Sequence, residues 1–90
     1  MVPTRKQFLS LKKQFPGMIL MFRVNEYAEA FYDDADEVAK ALDLTAFRFY
    51  PFPGKPVKFV GFPLVDKFDQ ARKLVIAGYK VMMIEDLSEY

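Results

Sequence analysis

Ninety residues and 10.5 kDa are enough for one domain and too few for two independent cores; a hydrophobic fraction of 52%, with 10 Phe and 5 Tyr, supplies a packed core and excludes a disordered tail. The absence of Cys and His removes disulfides, thiolate and imidazole metal sites and every nucleophile that depends on either residue. With 13 basic and 12 acidic residues, for a formal charge of +1, any contact with nucleic acid has to come from a local patch rather than from the field of the whole molecule.

The opening Met1-Val2-Pro3-Thr4-Arg5-Lys6 is not followed by an apolar run, so a secretory signal is not supported. The apolar stretches Met18 to Phe22 and Val81 to Ile84 are far too short to span a bilayer. The chain therefore reads as soluble, with no membrane partner, and a cytoplasmic location is the expectation.

Thr4 and Gln7 form a capping-box pattern that predicts a helix over residues 5–15, with Phe8, Leu11 and Phe15 at helical spacing and Pro16-Gly17 as its stop. Met18 to Val24 reads as a strand buried on both faces. From Ala28 the positions Phe31, Ala35, Val38, Ala39 and Leu42 follow the helical period and predict an amphipathic helix over 28–42. Residues 45–50 and 57–62 are β-branched and aromatic, and the proline-punctuated segment between them predicts an antiparallel pair. Leu64, Phe68, Ala71 and Val75 mark the apolar face of a helix over 66–77, with Asp66 as cap and Gly78 as its left-handed terminus. Tyr79 to Ile84 reads as a last, well-buried strand. The order is α-β-α-β-β-α-β: an α+β domain with a single mixed sheet of about four strands flanked by three helices, in one domain over 1–90.

Little of this composition supports catalysis. Glu29, Asp33, Asp34, Asp36 and Glu37 are crowded together, but Asp33 and Glu37 share the helix face opposite the apolar stripe, with no His or basic partner to tune them; a solvated face explains them. Gly54-Lys55 is followed by Pro56 and lacks the preceding glycine of a phosphate-binding loop, which argues against an autonomous ATPase. The expected protein is no enzyme and needs no cofactor or metal.

Aromatic rings can stack on bases or wedge between them. Phe8, Phe15, Phe31 and Phe68 are assigned to the core by their helical spacing. Tyr27 stands apart, at a junction among Asn25, Glu26 and Glu29; it is either an exposed contact residue or a packed staple at a helix entry. The second candidate surface is the loop region carrying Arg48, Lys55 and Lys58, which is either a phosphate contact or a solubilising loop.

Phe22-Arg23-Val24-Asn25-Glu26-Tyr27-Ala28-Glu29-Ala30-Phe31, followed by Tyr32-Asp33-Asp34-Ala35, resembles the N-terminal mismatch-recognition domain of the MutS family of DNA mismatch-repair proteins. That family runs Phe/Tyr-Arg-x-Gly-Asp-Phe-Tyr-Glu-x-Phe and then Asp-Ala. Pro3, the Leu11-to-Pro16 helix end, Val60-Gly61-Phe62-Pro63 and Ala77-Gly78-Tyr79-Lys80-Val81 with Glu85 are similar to the family in the same order, so the resemblance covers nearly the whole chain.

The resemblance implies a non-enzymatic, DNA-binding module, whether a stand-alone copy or a fragment, with a MutS domain I-like fold. Tyr27 stands where the family has its wedging Phe, and Glu29 where it has the base-contacting Glu. Ala28 replaces the family's Tyr, and Asn25-Glu26 its Gly-Asp, Asn being tolerant of positive φ. The implied partner is duplex DNA with a mismatch or loop, bound weakly and with strong salt sensitivity. The alternative is a protein-interaction module that keeps the fold without DNA binding and docks on a repair or mobile-element protein.

Overall fold

The computed structural model describes residues 2–51 and 53–90. Its elements are α1 (Arg5–Gln14), β1 (Met18–Val24), β2 (Tyr27–Phe31), α2 (Tyr32–Leu42), β3 (Phe47–Phe49), β4 (Val57–Pro63), α3 (Lys67–Ile76) and β5 (Lys80–Ile84). The strands form one sheet of 5 strands in the order β3-β4-β2-β1-β5. Only β1–β5 is parallel among these neighbouring pairs; the others are antiparallel.

The local signals at the start hold. Thr4 Oγ accepts from the Gln7 N–H at 3.1 Å while Gln7 Oε1 accepts from the Thr4 N–H at 2.9 Å, closing the capping box that starts α1. Gly17 turns the chain at φ 75, and β1 follows with Ile19, Leu20, Met21 and Phe22 all buried. Such a strand must be roofed on both sides. Phe8 and Leu11 of α1 pack with Leu20, Phe22, Phe31, Val57, Ile84 and Leu87 on one face. Ala35, Val38 and Leu74, from α2 and α3, pack with Ile19, Met21, Ala28, Ala30, Val60 and Phe62 on the other.

The sequence reading is corrected at residues 27–31. The helix expected from Ala28 begins at Tyr32, and Tyr27–Phe31 is instead a fifth strand, paired to β1 on one side and β4 on the other. Asn25 takes φ 56 and with Glu26 closes a tight turn that sets Val24 opposite Tyr27. Tyr32 also takes a positive φ of 57, uncommon for a bulky side chain. Its neighbours over-determine it: the hydroxyl donates to the Pro3 carbonyl at 3.0 Å and the ring meets Phe8 at 5.0 Å between centroids.

Three smaller corrections concern the C-terminal half. The expected pair 45–50 and 57–62 forms, with Phe47 opposite Phe59, Arg48 opposite Lys58 and Phe49 opposite Val57. In α3, however, the fully buried residue is Leu74, while Phe68 and Val75 are 78% and 58% exposed, so the helix is rotated from the expected face. Asp66 makes no side-chain cap bond, though Gly78 does adopt positive φ, at 100. β5 is an edge strand, and of its residues only Ile84 is fully buried, because its outer side has no neighbouring strand.

Candidate functional site

Strand alternation decides what shares a surface. Tyr27, Glu29 and Phe31 point to one face of β2, and Ala28 and Ala30 to the other, where they pack under α2. Phe31 lies in the cluster roofed by α1, which puts Tyr27 and Glu29 on that same face. Tyr27 is 50% exposed at the mouth of the turn, with Val24 and Pro63 as its cross-strand neighbours. It is not a helix-entry staple, since no helix begins there.

Glu29 is flanked by Phe22 on β1 and Gly61 on β4. It is half-buried, and that desolvation raises its carboxyl above the ordinary glutamate value. Among the described residues no hydrogen bond or ion pair holds the carboxylate. A row of rings continues the same face: Phe59 meets Phe31 at 6.5 Å and Phe47 at 6.1 Å, and Phe47 ends the row 60% exposed.

The cations lie elsewhere. Arg48 and Lys58 are cross-strand partners in the register opposite to that of Phe47, Phe59 and Phe49, and so point to the α2 side of the sheet. Lys58 is paired there with Asp36 at 2.7 Å. Arg48 is exposed on the edge strand β3. Lys55 is exposed in the proline loop and lines an open cleft of about 800 Å³ with Arg5, Tyr32 and Phe49. The structure thus brings Tyr27 and Glu29 together and does not gather Arg48, Lys55 and Lys58 beside them.

The carboxylates expected on one solvated face are also redistributed. Glu29 is on a strand, and Asp34 is buried at 4% exposure. Asp34 accepts from Lys12 Nζ at 2.9 and 3.1 Å and from the Leu20 N–H at 3.0 Å. Asp33 lies 3.9 Å from Arg5, and Glu37 accepts from the Tyr79 hydroxyl. No group of three or more metal-ligating side chains occurs among the described residues. No described helix is long and apolar enough to cross a membrane.

Sequence reasoning missed two residues of this surface, Phe47 and Gly61. A glycine inside a strand pattern is a signal of close approach, but what approaches Gly61 follows only from the Glu29 register.

A five-stranded mixed sheet with helices on both faces defines a small α+β domain, and an aromatic and a carboxylate two residues apart on one strand form its candidate surface. Residues 2–90 match the family model described as MutS domain I. The chain is 37% identical over 90 residues to the DNA mismatch repair protein MutS of Chlorobium phaeobacteroides, covering 97% of this chain and 10% of that protein. It is 34% identical over 87 residues to the DNA mismatch repair protein MutS of Chlorobium limicola, again covering 97% and 10%. The chain belongs to the MutS domain I family. It spans about a tenth of the length of these curated relatives.

Proposed function

We propose that this chain is a non-enzymatic recognition module that binds mismatched or looped duplex DNA in mismatch repair, with Tyr27 as the wedge and Glu29 as the base contact. The observation that supports this most is their placement: the two side chains project from alternate positions of β2 onto one surface, one half-exposed at a turn and the other held low against the sheet. A flat ring at a strand end can enter a weakened base step, and a carboxyl beside it can meet a base edge. The tyrosine hydroxyl needs a polar partner on insertion. Arg48 and Lys55 supply phosphate contacts at the β3 edge and loop. Lys58 joins them only by exchanging Asp36 for a phosphate, so its share is smaller.

The test is a titration of matched, mismatched and looped duplexes at low salt. Tyr27→Ala is expected to weaken binding to the mismatched and looped duplexes by about 1 to 3 kcal/mol, roughly 5- to 150-fold, and to leave matched DNA nearly unchanged.

A second reading, a protein-interaction module that has lost DNA binding, is favoured by a separate observation. Val65, Phe68, Val75 and Ile76 are 90%, 78%, 58% and 77% exposed on and just before α3, and apolar side chains left bare together can mark a protein-interaction surface. A wild type that binds no duplex at low salt, with Tyr27→Ala lowering only the melting temperature, would establish that reading instead.

A further inference from the structure

We propose that Gly61 is a positioning residue for Glu29: it forms a notch in β4 across which the Glu29 side chain lies flat, fixing the carboxylate low on the face it shares with Tyr27. This rests on the reading of Glu29 as the base contact.

Glycines serve two purposes, and the backbone tells them apart. Gly17, Gly54 and Gly78 have positive φ, whereas Gly61 does not, so conformational freedom is not what this position requires. Space is. A Cβ at Gly61 would stand 2.8 Å from Glu29 Cγ and 2.9 Å from the Ala28 carbonyl oxygen, closer than real Cβ atoms come. Glu29 Oε2 itself lies 3.5 Å from that point. The side chain therefore runs over the backbone of β4 in the place another residue would fill. Glycine in a strand interior gives up backbone entropy and packing surface, and here the return is the seat it leaves for Glu29.

Among the described residues no hydrogen bond or ion pair holds that carboxylate, and the positive charge of the amino terminus acts on it against the desolvation. The notch seats the side chain, and its partial desolvation there favours the neutral form. Filling the notch forces the side chain up off the sheet. The carboxylate then loses both its fixed place relative to Tyr27 and the burial that makes it easier to protonate.

The experiment uses the 90-residue chain. In the wild type, cross-peaks between the Glu29 γ protons and the Gly61 α protons are expected, and the Glu29 carboxyl is expected to titrate above the exposed glutamates in a carbon-detected pH series. Gly61→Ala should move that titration down toward the exposed glutamates. It should also lower the mismatched-to-matched affinity ratio to within about twofold of Glu29→Ala, and add nothing to the ratio in the Glu29→Ala background. An unchanged Glu29 titration and an unchanged ratio in Gly61→Ala would overturn the proposal. The Ala28 carbonyl also opposes a Cβ; if Gly61→Ala fails to fold, the wild-type cross-peaks decide, and their absence overturns the notch. A wild type that binds no duplex defeats the DNA reading alone, since the titration and cross-peaks need no DNA.

Discussion

Removing the buried Asp34 carboxylate is the sharpest test of how the fold is held together. Its oxygens accept from Lys12 Nζ on α1 and from the Leu20 N–H in β1, while Asp34 itself sits in the first turn of α2. One side chain thus ties three elements across the sheet. Asp34→Ala leaves the Leu20 N–H buried without an acceptor, a cost of about 1 to 3 kcal/mol. It also breaks a pair whose loss typically costs about 3 to 5 kcal/mol when one charge stays behind in the interior. Lys12 keeps the Met18 carbonyl and a side chain 28% exposed, so water can partly serve its ammonium and the total belongs near the lower end of that range, about 3 kcal/mol. Domains of this length have roughly 5 to 13 kcal/mol in all. Equilibrium urea unfolding should therefore show a large fall in midpoint with little change in slope. Asp34→Asn, which keeps an acceptor for Leu20, should lose less. A midpoint for Asp34→Ala equivalent to less than about 1 kcal/mol of destabilisation would refute the account, because it would mean the pair is not closed in solution.

Three further outcomes are expected. Burial raises the Glu29 carboxyl above 4.5, so protonated Glu29 favours the folded state; that stability is fully present below 4.5 and is lost as pH rises through the folded value. Glu29→Gln should accordingly melt higher than wild type at neutral pH and match it below about pH 4, as thermal scans across pH would show. In α3, Leu74→Ala should cost about 2 to 5 kcal/mol and Phe68→Ser less than about 0.5 kcal/mol in chemical unfolding, the reverse of what the spacing alone implies. If Arg48 and Lys55 contact phosphates, the double Ala variant should flatten the slope of log K against log salt by about 1.8 and leave the mismatch preference in place.

What was legible in the sequence was whatever its neighbours in the chain decide. The Thr4–Gln7 box, the Pro16-Gly17 stop, the continuous apolar run of β1 and the Gly78 terminus are local signals, and each appears where expected. β2 was hidden because Ala28 and Ala30 are strong helix formers and because Ala28 and Phe31 sit in phase with the real helix that follows. Two flanking strands override that propensity, and their pairing is not a local property. The face of α3 was misread for a related reason: its apolar residues lie on more than one side, and only packing chooses Leu74 over Phe68 and Val75. Tyr27 stood out at its junction, its role and Glu29's came from a family resemblance, and Gly61 needed the register.

The separation of the surfaces bears on how such a domain can discriminate at all. Phosphate contacts supply affinity without sequence information, and base contacts supply discrimination. In this chain the ring and the carboxylate lie on the α1 side of the sheet, while Arg48 and Lys58 point to the α2 side and Lys58 is already paired. Arg48 and Lys58 are therefore not positioned to grip a duplex whose distorted step lies over Tyr27, and a net charge of +1 adds no long-range attraction. On the proposed reading, affinity and discrimination are physically separable here: raising salt should erase binding to matched and mismatched duplexes in parallel, because it acts on the shared phosphate contacts, while the ratio between them stays with Tyr27 and Glu29. A ratio that collapsed with salt would mean that the discrimination is itself electrostatic, and would place it with the cations instead of the ring.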